Sequence, residues 1–190
     1  MTPDVEAVLD ELDGHRLRFT VLCRSLNDEE LARPVPQSTW IVRDFIAHLA
    51  TIDGPVAEMF RTLHEGGDPG MRATDGERFD VDRWNDAQVQ ERRELTVDAI
   101  LLEAATQRTR LRTTLGSLTE EDLDKAIKFG GDSRRPASEI QLRAYLRGWC
   151  KHDVMHALDM CRALPEKVTP RMEEWFDDPI VAMYQKQMNG

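Results

Sequence analysis

The chain has 190 residues, with 25 Lys+Arg against 35 Asp+Glu for a net charge of -10, and is 41% hydrophobic and 32% charged. That length suits one domain with a substantial core. The acidic balance repels phosphate backbones, which disfavours a nucleic-acid partner, and no run approaches the roughly 18 apolar residues of a membrane span.

The first residues, Met1-Thr2-Pro3-Asp4-Val5-Glu6, are acidic and carry no apolar h-region, so no secretory signal is expected. Cys23, Cys150 and Cys161 are odd in number. On one helix Cys150 and Cys161 would stand about 16 Å apart, too far to bridge. Reduced thiols and a cytoplasmic location are the expectation.

The first helix is predicted from Pro3 to Leu26, with Thr2 as N-cap and Pro3 at the first helical position. Its stripe is Val5, Val8, Leu9, Leu12, Arg16, Phe19, Leu22 and Cys23. Asn27 can cap a short helix, Asp28 to Ala32, before Pro34 and Pro36 break the chain. A second long helix is predicted from Ser38, with Ile41, Phe45, Ile52, Val56, Met59 and Leu63 as its stripe and a kink at Gly54-Pro55. His48 lies on that stripe, between Phe45 and Ile52.

Gly66 to Gly76 reads as a polar, turn-rich loop, expected to be mobile and to form one wall of a cleft. A helix from Asp80 to Arg93 carries Trp84-Asn85. Thr96 caps the next, Val97 to Leu115, whose stripe includes Ile100, Leu101, Ala104, Arg108 and Leu111. Thr119 and Asp122 open a short helix with a capping-box pattern. A loop, Phe129 to Ala137, follows, and Ser138 is expected to cap a helix from Glu139 to Ala163. On it Leu142, Tyr145, Trp149, His152, His156 and Asp159 recur at three- and four-residue spacing. The apolar arc is wide, as on a helix central to a bundle. Beyond Pro165 and Pro170, Arg171 to Gln187 reads as a last helix with Trp175, Phe176, Ile180 and Tyr184, docked on the bundle or forming a homodimer interface. No strand is expected. The fold class predicted is all-α: a helical bundle over residues 1–165 and a helical extension over 166–190.

His152 and His156 stand i, i+4, which puts both rings on one helix face about 5–6 Å apart at Cβ. Two imidazole nitrogens can then reach one cation at about 2.1 Å. One helix face cannot surround an ion, and His48, on another core-facing stripe, is the natural third ligand. Three neutral nitrogens with an open side fit a catalytic rather than a structural site. Zn(II), Ni(II), Fe(II) and Mn(II) all suit such ligands, with zinc or nickel taken first. The run His152-Asp153-Val154-Met155-His156 lacks the Glu that a zinc-protease helix needs as general base. Asp153 is read as an exposed helix charge or an acceptor for an imidazole N–H. His15 and His64 are read as surface or helix-end residues. Asn85 and Arg147 are candidate polar groups near the ion, with Tyr145 and Trp149 as walls.

Three segments carry a family resemblance: Trp40-Ile41-Val42-Arg43-Asp44-Phe45-Ile46-Ala47-His48-Leu49-Ala50, Arg83-Trp84-Asn85 through Val89, and Trp149-Cys150-Lys151-His152-Asp153-Val154-Met155-His156-Ala157-Leu158-Asp159. Over about residues 5 to 163 the chain resembles the DinB/YfiT-like superfamily, especially the metal-binding domain of mycothiol-dependent maleylpyruvate isomerases. The resemblance implies a four-helix bundle of non-simple topology with one divalent ion on His48, His152 and His156. It further implies a low-molecular-weight thiol, mycothiol or bacillithiol, used on an electrophilic small molecule. A metal-dependent hydrolase and a non-catalytic metal-binding bundle are the alternatives. In the isomerase branch the position of His152 is commonly Glu, and the chain is expected to lack that branch's extra C-terminal domain. Both departures point away from maleylpyruvate itself.

Overall fold

The computed structural model describes residues 1–69, 80–130 and 136–188. Helix α1, Pro3–Arg24, starts where Thr2 Oγ1 accepts the Val5 N–H at 3.2 Å, and α2, Asp28–Leu31, carries a reciprocal Asn27/Glu30 capping box. Helix α3, Val42–Thr51, begins four residues later than expected. Ser38 spends its hydroxyl on the Trp40 N–H inside a turn, and the Asp44 carboxylate accepts the Ile41 N–H at the helix start. The bend falls at Ile52, and α4 runs over Asp53–His64. Pro55 accounts for this: its ring opposes the carbonyl four residues back, on Thr51, and it has no N–H to give.

Helix α5, Val81–Glu91, is capped by Asp80; α6, Val97–Ser117, by Thr96; and α7, Glu120–Asp124, by Thr119. The expectation of no strand is corrected by a two-stranded antiparallel ladder, β1 Ala126–Phe129 with β2 Ser138–Gln141, in register from Ala126↔Gln141 to Phe129↔Ser138. Ile127 is fully buried on it while Lys128 is exposed, an alternation too short to stand out in sequence. Ser138 is therefore a strand residue, not a helix cap.

The single helix expected from Glu139 to Ala163 is two: α8, Leu142–Trp149, and α9, His152–Ala163, parted at Cys150-Lys151. Gly148, a weak helix former, stands in the last turn of α8, two residues before Cys150. After a 3-10 turn at Pro165–Lys167 the expected last helix is also two, α10 Pro170–Phe176 and α11 Pro179–Met188, divided by Asp177-Asp178-Pro179. Residues 70–76 of the Gly66–Gly76 loop and 131–135 of the Phe129–Ala137 loop lie outside the described residues.

The fold is all-α in its load, a four-helix bundle of α1, α3–α4, α6 and α8–α9 with the small ladder at one end. Among the described residues no helix is long and apolar enough to cross a membrane. Two apolar cores fill the bundle. One takes Phe19, Phe45, Ile46, Ile100, Val154 and Val181; the other takes Leu9, Phe60, Leu111, Leu142 and Leu146. On each of the four helical walls one charged residue marks the passage between the cores: Arg16, Asp53, Arg108 and Asp153. They form a closed layer. Arg16 donates to both Asp153 oxygens at 2.8 and 2.9 Å and to Asp53 at 3.3 Å. Arg108 donates to Asp53 at 2.7 Å, to Asp153 at 3.2 Å, and to the Leu12 carbonyl at 2.9 Å. Asp153, read from sequence as an exposed charge or an imidazole acceptor, is instead 2% exposed and bound by two guanidinium groups. Burial would push its carboxyl up, but Arg16 and Arg108 outweigh burial and hold it down to about 2.

Candidate metal centre

His48 sits on α3 within a nearly continuous buried face and is 4% exposed. His152 opens α9 and His156 follows one turn later. The packing of α3 on α9 brings the three rings together. Ring centroids are 5.3 Å apart for His48 and His152, 4.9 Å for His48 and His156, and 4.5 Å for His152 and His156. Each pair meets edge to face, at 69°, 87° and 80°. One nitrogen from each ring lies within 4.8 Å of the others, and the Nε2 atoms of His152 and His156 are 3.1 Å apart. Ligands about 2.1 Å from a tetrahedral ion would be roughly 3.4 Å from one another, so modest closure suffices to hold one.

The electrostatics suit that use. Burial, then the proximity of His156, pushes His48 well below the usual imidazole range, against a raising contribution from the Asn85 side chain. His152 is pushed down by burial, by His156 and His48, and by Arg16 and Arg108 beneath it. Both rings are therefore neutral at physiological pH. His156 Nδ1 lies 3.1 Å from Asp159 Oδ2, which fixes the N–H on Nδ1 and leaves the Nε2 lone pair for the cluster. His48 Nδ1 and Asn85 Oδ1 are buried without a well-formed hydrogen bond. A donor set of three imidazoles, with an orphaned ring nitrogen among them, fits a divalent transition ion.

Aromatic rings enclose the cluster. Trp40 stands 5.2 Å from His48 and is held by donation from its Nε1 to Asp86 at 2.8 Å. Phe45 is 5.5 Å from His156. Trp149 stacks on His152 at 4.5 Å and 16°, and Tyr145 and Phe129 continue the stack toward β1. Trp149 thus lies against the cluster, while Tyr145 stands one ring further out, behind Trp149. Asn85 lies against His48, whereas Arg147 is exposed on α8 and no contact joins it to the cluster.

His64 is a helix-end residue, paired with Asp122 at 2.7 Å. His15, expected at a surface or helix end, is partly buried and accepts a hydrogen bond from Trp175 Nε1 at 2.9 Å. The sequence assigns Asp159 no role and Tyr184 only a place on a docking face. Asp159 stands on the ligand stripe three residues after His156, the one signal that could have singled it out. Cys23, Cys150 and Cys161 are buried free thiols, and burial pushes Cys150 and Cys161 up to about 12, so none is a ready nucleophile.

A cavity of about 480 Å³ opens between α4, α5 and α6, lined by Thr51, Trp84, Gln88 and Gln107 among others. It lies one turn from His48 along α3 and one turn from Asn85 along α5, and none of the three histidines lines it.

The profile of the mycothiol maleylpyruvate isomerase N-terminal domain family matches residues 13–161. The chain belongs to this family. The match takes in all three histidines, Asp153 and Asp159, and stops before α10 and α11. No curated protein matches the chain. Among solved structures, a mycothiol-dependent maleylpyruvate isomerase is similar at TM-score 0.61 and 13% identity, over 84% of this chain and 63% of that one. This chain therefore spans less than two thirds of that isomerase. YfiT from Bacillus subtilis, described as "a probable metal-dependent hydrolase with an unusual four-helix bundle topology", is similar at TM-score 0.61 and 15% identity, over 87% of each chain. A DinB-like protein from Bacillus subtilis, YjoA, is similar at TM-score 0.52 and 16% identity, over 86% of this chain and 94% of that one. At these identities the likenesses show the fold.

Proposed function

We propose that His48, His152 and His156 hold one divalent ion, zinc or nickel, and that the protein uses a low-molecular-weight thiol of the mycothiol or bacillithiol type on an electrophilic small molecule. The observation that carries this reading is the convergence of three imidazoles, His48 buried and His152 and His156 half-buried, inside the domain that defines the family. A bound ion would supply positive charge that lowers the pKa of a thiol brought to it and orients the sulfur.

The chain's own residues prepare the place. Burial keeps His48 and His152 unprotonated, and Asp159 sets the tautomer of His156. Trp40, Phe45 and Trp149 give the cluster low-dielectric walls that strengthen any charge interaction inside them. The buried cysteines are held protonated, so the attacking sulfur would come from a bound cosubstrate.

The test is thiol consumption with mycothiol or bacillithiol and monobromobimane as electrophile, using zinc- or nickel-loaded protein. Acceleration over background by the wild type, lost in His152→Ala, is the expected result. Metal-loaded protein that accelerates neither thiol would overturn the transferase reading. A hydrolase is the second reading, favoured by the likeness to YfiT over 87% of both chains. Ester or amide cleavage without added thiol would select it.

A further inference from the structure

The last two helices lie beyond the family domain, yet one of their side chains reaches the metal centre. Three polar links fasten this segment to the bundle. Trp175 Nε1 donates to His15 on α1, Lys151 pairs with Asp178 at 2.9 Å, and the Tyr184 hydroxyl donates to Asp159 Oδ2 at 2.6 Å. Asp178 also accepts the Ile180 N–H at 2.8 Å, which fixes the start of α11. Val181, fully buried in the core that holds Phe45 and Val154, sets its rotation. Tyr184 follows Val181 by three residues and so shares its face of the helix.

Asp159 Oδ2 thus receives two donors at once, His156 Nδ1–H and the Tyr184 hydroxyl. Its other oxygen is buried with no hydrogen bond, approached by Arg162 at 3.4 Å. A carboxylate held by the ligand histidine alone could turn about its own bonds; the phenol removes that freedom. The Tyr184 ring also meets His156 edge to face at 6.2 Å.

We infer that Tyr184 is a positioning residue of the metal centre: it locks Asp159, and Asp159 holds His156 with Nε2 turned to His48 and His152. The C-terminal segment, and not the family domain alone, then sets how tightly the ion is held. This rests on the three histidines being the ligands.

The test uses the full chain as wild type, Tyr184→Phe, Asp159→Asn, the double variant, and Trp175→Phe, which breaks a different link of the same segment. Zn(II) affinity is read by competition with a chromophoric chelator, and site geometry by the visible spectrum of the Co(II) form. Thermal unfolding of each metal-free variant reports the fold. Loss of an outer-shell partner weakens metal binding about 10–100-fold. Asp159→Asn should fall in that range, and Tyr184→Phe, one step further out, should lose about 3–10-fold and shift the Co(II) bands. Trp175→Phe should leave both readouts unchanged, and the double variant should match Asp159→Asn alone. Wild-type affinity and spectrum in Tyr184→Phe would overturn the inference while leaving the ligand site standing. So would a Tyr184→Phe loss that adds in full to that of Asp159→Asn, or an equal loss in Trp175→Phe. Failure of the wild type to bind metal would overturn this inference and the proposed function together.

Discussion

Two sets of polar side chains lie side by side inside this bundle, His152 in one and Asp153 in the other. In the charged layer, two guanidinium groups and two carboxylates answer one another across four helices, with Arg16 Nη1 left without a partner. In the histidine cluster, three imidazole rings face one another, His156 is paired with the Asp159 carboxylate, and His48 Nδ1 is buried without a hydrogen-bond partner. A core tolerates polar groups when they are partnered. The layer is accounted for by the fold, whereas the cluster becomes intelligible when something binds to it.

The sharpest way to separate the two sets is to break each in turn. Asp153→Ala leaves Arg16 and Arg108 short of a buried partner and should cost about 3–5 kcal/mol in urea unfolding. His156→Ala in metal-free protein should cost less than that, because no opposing charge is stranded. Equal losses would erase the distinction. Adding Zn(II) at a hundredfold excess over its dissociation constant should stabilise the wild type by about 2.7 kcal/mol and the His48→Ala variant by none. A thermal shift that survives in His48→Ala would place the ion elsewhere.

Acidification probes the same contrast. Burial depresses the folded pKa of His48 and His152, so below about pH 6.5 the unfolded chain binds protons that the folded chain refuses. The stability of the metal-free protein should therefore be full above that pH and fall as pH drops toward the lowered folded values. A curve flat from pH 7 to 5 would contradict the burial account. The smallest effect is expected from His64→Ala, which removes one hydrogen bond to Asp122, worth about 0.5–1.5 kcal/mol, and should leave metal content untouched.

Much of this was legible in the sequence. Thr2, Asn27, Thr96 and Thr119 announce helix starts through side chains that satisfy backbone N–H groups, and each caps where expected. The three histidines could be grouped because their apolar neighbours place them on core-facing stripes. The break between α8 and α9 was hidden because the apolar pattern runs unbroken through Cys150 and Lys151. The β1–β2 ladder is four residues a strand, too short for alternation to register. Asp153 was misread because its partners, Arg16 and Arg108, are 137 and 45 residues away in sequence. Two arginines on buried stripes were nonetheless a demand for buried carboxylates. From sequence Tyr184 belongs to a face that docks on the bundle or on a second copy, since nothing local tells a docking tyrosine from one that reaches Asp159.

The central claim is that His48, His152 and His156 bind one ion together. The direct measurement is metal content by plasma mass spectrometry on purified wild type, His48→Ala and His156→Ala, before and after reconstitution with Zn(II) and Ni(II). The account predicts about one ion per wild-type chain and loss of it in both variants. A wild type that stays metal-free after reconstitution, or variants that keep the ion, would contradict it.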